Sequence, residues 1–98
     1  MANTSLREYS LIWNGIKIHI IHIGKRWGVI DHIEIRAVDP ENAPLPITET
    51  GYKSHFIQEE YLAEYDNAKE YVLAWLDHES KQADWLAGEE KRRQYSLF

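Results

Sequence analysis

Apolar side chains alternate with polar ones in the first part of the chain and later recur every third and fourth residue. The first spacing belongs to strands and the second to helices. Leu11, Ile12 and Trp13 lead into Asn14-Gly15, and residues 16–23 resume the apolar run. Asn and Gly accept the positive φ values of a type I′ turn, so this stretch predicts a β-hairpin. In its second strand Ile16, Ile18, Ile20 and His22 share the face expected to be core. Lys17, His19, Ile21 and Ile23 share the other.

Gly24 and Gly28 bracket an expected connection. Residues 29–38 read as a third strand in which Ile33, Ile35 and Ala37 form a dry face, and His32, Glu34 and Arg36 a wet one. Pro40, Pro44 and Pro46 make residues 39–46 a loop. A short fourth strand is expected within residues 47–56, around Gly51-Tyr52-Lys53, with Pro46 keeping its start away from a central position. Residues 58–65 have the composition of one or two helical turns. Asn67 stands three residues before Glu70, the spacing of a helix N-cap. Ala68, Tyr71, Val72, Trp75 and Leu76 then form the stripe of a helix lying on a sheet. A further helical turn is expected around Trp85 and Leu86, with Gly88 weakening or ending it. The predicted fold is α+β: a three- or four-stranded, mainly antiparallel sheet with one face covered by a C-terminal helix. Residues 1–93 make a single small domain, and residues 94–98 a docking peptide or a back-folded tail.

Composition narrows this only a little. Ninety-eight residues support one modest core. The chain has no cysteine, so it has neither a disulfide framework nor a thiolate site, and its first residues do not read as a secretory signal. A cytoplasmic location is therefore expected. The apolar stretch 16–23 is far too short to cross a bilayer. Charge is unevenly placed: residues 49–80 hold eight acids against two bases, while residues 1–38 carry five bases and three acids. Direct nucleic-acid binding needs clustered cations, and the acidic middle argues against it. An acidic inhibitor that imitates DNA through the carboxylates between Glu59 and Glu79 is one alternative. A solvated helix face is the plainer reading.

Five histidines raise the question of metal binding. His19 and His22 fall on opposite strand faces. His19 and His32 are expected to approach across adjacent strands, with Glu34 nearby. No set of three or four ligands has metal-site spacing, so no metal and no cofactor is expected. The segment 47–56 concentrates polar groups, and Glu49, Tyr52 and His55 are its candidate ligand-binding residues. An enzymatic role here is left open. It would use Ser54 as nucleophile and a histidine as base, in an arrangement that only the fold can supply. Otherwise the segment is a turn in which Gly51 provides an unusual φ while Tyr52 and Phe56 pack inward. Lys25, Arg26 and Trp27 make a small basic-aromatic cluster, too weakly charged to predict nucleic-acid contact.

The final residues carry a resemblance. Gln94-Tyr95-Ser96-Leu97-Phe98 follows the charged run Glu89-Glu90-Lys91-Arg92-Arg93. It resembles the pentapeptide, usually Gln-Leu-(Ser or Asp)-Leu-Phe, by which bacterial replication and repair proteins dock on the DNA polymerase sliding clamp. The resemblance implies that Gln94 fills a small polar subsite and that Leu97 and Phe98 enter the main hydrophobic pocket. Tyr95 stands where Leu is commonest, and Ser96 matches. The body, in residues 31–36 and 44–56, resembles small bacterial or plasmid-borne proteins, a likeness that implies no activity. Together these point to an accessory protein of bacterial DNA metabolism or a mobile element that acts by protein–protein contact. An exposed edge strand offers a route to a homodimer.

Overall fold

The computed structural model describes residues 6–26 and 30–95, and of residues 25, 26 and 92–95 it describes the backbone alone. Four strands, β1 (Leu6–Trp13), β2 (Ile16–Arg26), β3 (Ile30–Asp39) and β4 (Tyr52–Gln58), are followed by three helices, α1 (Glu59–Leu62), α2 (Ala68–Glu79) and α3 (Ala83–Tyr95). The strands form one antiparallel sheet in the order β1-β2-β3-β4. The fold is α+β, as the alternating and helical spacings predict.

Asn14 and Gly15 both take positive φ, 52° and 78°, and close the first hairpin. Both of its strands are longer than expected. β1 begins at Leu6, and β2 continues through Gly24, where a connection was expected. A register shift between Ile23 and Arg26 accommodates the glycine within the ladder. Cross-strand pairing aligns Leu11 with Ile18, Ile18 with Ala37, and Ile20 with Ile35. These side chains share one face, and Ile18, Ile20, Ile33, Ile35 and Ala37 are all fully buried.

The helix that covers this face is α2. Asn67 caps it, its side chain accepting a hydrogen bond from the Glu70 amide at 2.9 Å. Ala68, Val72 and Leu76 pack into the same core cluster, with Tyr71 and Trp75 on the flank. Leu45 closes the core from the proline-rich loop, and a short bridge between Leu45 and Thr48 holds the loop in place. Gly51 also belongs to that closure: its φ is 77°, and a Cβ there would lie 2.6 Å from the Asn42 carbonyl carbon.

The last helix departs from expectation. Gly88 does not end it, and α3 runs on to Tyr95. The charged residues after Gly88 are good helix formers, and one interior glycine costs only about 1 kcal/mol relative to alanine. Trp85 holds α3 to the body, its ring centre 6.0 Å from that of Trp13. Trp85 also lines a cleft with the 44–49 loop.

Candidate functional site

The sheet face away from α2 carries a cross-strand polar cluster. β3 and β4 pair Glu34 with Ser54 and His32 with Phe56, so side chains of all four stand side by side. His32 Nε2 lies 2.6 Å from Ser54 Oγ. On its other side, His32 Nδ1 is 4.0 Å from Glu34 Oε2, beyond hydrogen-bond reach, and has no hydrogen-bond partner among the described residues. Glu34 is engaged elsewhere, accepting from the Tyr52 hydroxyl at 3.2 Å. The Arg36 guanidinium sits over the Tyr52 ring, 4.8 Å from its centre.

His32 was expected on a wet face, yet it is only 8 % exposed. The Phe56 ring covers it in a parallel stack with ring centres 4.4 Å apart. Phe56 is in turn half-exposed, and Tyr52 lies on the same open face beyond Ser54. Reading the segment as a turn had both packing inward, whereas the ligand-binding reading had Tyr52 lining a site. The four-residue spacing between them does place them on one face, but that face is the uncovered one. Nor does His32 approach His19. The register sets His19 opposite Arg36, and His19 instead contacts Glu8 at 2.9 Å across the first hairpin.

Glu49, Tyr52 and His55 do not converge. The alternation of β4 puts Tyr52 on the open face and His55 on the covered one. Glu49 lies in the cleft beside Trp85. Thr48 and Thr50 are committed to the turn: the Thr48 hydroxyl donates to the Tyr52 carbonyl at 2.8 Å, and the Thr50 hydroxyl donates to the same oxygen at 3.3 Å. His55 lies 3.1 Å from the Tyr71 hydroxyl. Burial, and secondarily the charge of Lys53, hold its imidazole below the ordinary histidine range. Burial raises the Tyr71 phenol, with a further push from Tyr65.

A second histidine pair occupies the covered face near the end of α1. His22 Nε2 is 3.0 Å from Asp31 Oδ2, and both side chains are largely buried. They border a cleft of about 190 Å³ shared with Arg7 and Tyr9. That volume is below the range of about 300–1,000 Å³ usual for small-molecule sites. The pair ties the end of β2 to the start of β3. Sequence parity placed His22 on the core face, but its partner Asp31 was not foreseen, because only the β2–β3 register reveals that neighbour.

Of the C-terminal pentapeptide, Gln94 and Tyr95 fall within the backbone of α3, and Ser96, Leu97 and Phe98 lie outside the described residues. Trp27 lies outside them as well, so the Lys25-Arg26-Trp27 cluster has no structural description. Among the described residues no helix is long and apolar enough to cross a membrane.

Comparison with the curated proteins and with the solved structures found no match to this chain. A family model does match: residues 6–85, spanning all four strands, α1, α2 and the start of α3, fit the model described as the KlcB third domain, and the chain belongs to that family.

Proposed function

We propose that this chain is a protein-interaction module that docks on the bacterial DNA sliding clamp through residues 94–98. The observation that carries this reading is the exposed course of α3 toward those residues. After Trp85 the helix is mostly charged, Leu86 is 53 % exposed, and Glu90 and Lys91 face solvent. A helix held to its body near one end presents the other end to a partner. On this reading Gln94 and Tyr95 leave the helix and extend into a docking strand when they bind. Burying Leu97 and Phe98 in a pocket is worth roughly 1.5–3 kcal/mol each before ordering costs. The result is a weak, reversible complex, quickened by Lys91, Arg92 and Arg93 where the rim of the partner is acidic. Deleting residues 94–98 abolishes clamp binding on this reading and leaves the sheet folded.

A second reading rests on the 2.6 Å approach of His32 Nε2 to Ser54 Oγ. Here Ser54 attacks an acyl carbon while His32 takes its proton, which is the division of labour in serine acyl transfer. Against it, Glu34 is too far from His32 Nδ1 to orient the ring, and cross-strand register alone accounts for the cluster. A fluorophosphonate probe separates the two: labelling that Ser54→Ala removes supports acyl chemistry, and no labelling excludes a reactive serine there.

A further inference from the structure

The covered side of the sheet meets its last strand in a cluster of aromatic rings that no part of the docking or acyl-transfer readings uses. Tyr65 and Tyr71 stand nearly perpendicular, their ring centres 5.2 Å apart with an angle of 80°. Trp75 follows Tyr71 at 5.9 Å, tilted by 48°. Steep angles of this kind keep ring faces from stacking fully on one another. Tyr61 and Tyr65 remain 55 % and 38 % exposed, although the domain has little apolar material to spare.

These tyrosines wall a cleft of about 490 Å³. Its remaining lining is Glu64 from the α1–α2 link and four consecutive residues of β4, from His55 to Gln58. The strand that forms one wall is the last in the sheet among the described residues. Glu59 and Glu60 border an adjoining cleft with Gln58, and residues 49–80 as a whole carry eight acids against two bases. Aromatic faces, a carboxylate and an acidic surround together select a cation, because the ring quadrupole and the carboxylate attract the same charge. A terminal strand beside the cleft selects an extended chain, which gains main-chain hydrogen bonds by adding to the sheet.

We infer that the cleft between β4, α1 and α2 binds the lysine or arginine side chain of a partner peptide that pairs with β4 in extended form. The aromatic walls discriminate the cation, and the strand supplies the orientation. His55 does not oppose it at neutral pH, since burial and Lys53 keep its imidazole uncharged there. None of residues 94–98 is among the described lining residues, so a chain lacking them tests the cleft whether or not the clamp reading holds.

The test is an NMR titration of the full chain with a capped five-residue peptide, a central lysine flanked by alternating threonine and valine. A second peptide carries norleucine in place of the lysine. The lysine peptide is expected to shift the ring signals of Tyr61, Tyr65 and Tyr71 and the amides of β4, with at least five-fold tighter binding than the norleucine peptide. Tyr65→Leu keeps the apolar surface but removes a ring, and is expected to abolish that preference while the amide spectrum stays native. Where Tyr65→Leu does not fold, Glu64→Gln and Tyr61→Leu, both at exposed positions, are expected to reduce the preference. Equal binding of the two peptides, shifts confined to another surface, or an unchanged preference in the folded variants overturns the proposal.

Discussion

His55 Nε2 on β4 lies 3.1 Å from the hydroxyl of Tyr71 on α2, a contact that ties the last strand of the sheet to the helix covering it. Trp75 reinforces the contact, its ring centred 4.5 Å from the imidazole. The same enclosure that joins the two elements penalises an imidazolium at this position.

Stability therefore depends on pH through His55. Its folded value lies below the ordinary 6.5, chiefly from burial and then from Lys53. The unfolded chain takes up the proton first as pH falls, so the contribution is fully present above 6.5 and is lost as pH drops below that value through the folded one. Thermal melts between pH 8 and pH 5 are expected to show a falling midpoint, and His55→Gln a shallower fall. Lys53→Met is expected to move the NMR-monitored titration of His55 upward, because it removes the secondary cause.

Among the described residues, the positive-φ glycines Gly15 and Gly51 separate backbone strain from close approach. Gly15 has φ +78° and open space where a Cβ would be, whereas Gly51 has φ +77° and would meet the Asn42 backbone at 2.6 Å. Gly15→Ala is expected to cost about 1–2 kcal/mol from the left-handed conformation alone. Gly51→Ala pays the same cost and must also displace backbone, so it is expected to lose clearly more. Urea denaturation of both variants measures the difference, and equal losses would show that the loop yields freely at Asn42.

Asn67→Ala removes the acceptor of the Glu70 amide at the start of α2. The expected loss is about 1 kcal/mol, as for other N-caps, and Asn67→Ser is expected to recover most of it. Chemical denaturation of the three proteins checks the order.

Period and turn chemistry made much of this fold legible. Alternation placed Ile18, Ile20, Ile33 and Ile35 in the core, Asn14-Gly15 marked the hairpin, and the stripe from Ala68 to Leu76 marked α2. Spacing within one strand could not say which face a helix would cover, so His32 was assigned outward, and Tyr52 and Phe56 inward under one of the two readings of their segment. Register between strands was equally hidden. It decides that His32 meets Ser54 rather than His19, and that His22 meets Asp31. Gly88 was weighed by its own propensity, whereas helix persistence depends on the whole segment that follows it. The aromatic cleft escaped notice because Tyr61, Tyr65 and Tyr71 come from two helices and a linking segment that only packing brings together.

The central claim is that residues 94–98 are a removable docking peptide on an independently folded body. Calorimetric titration of a bacterial sliding clamp with the full chain, and with a chain ending at Arg93, tests it directly. The expected result is measurable binding by the full chain, none by the truncated one, and matching thermal midpoints for both. Equal binding by the two proteins, or no binding by a correctly folded full chain, contradicts it.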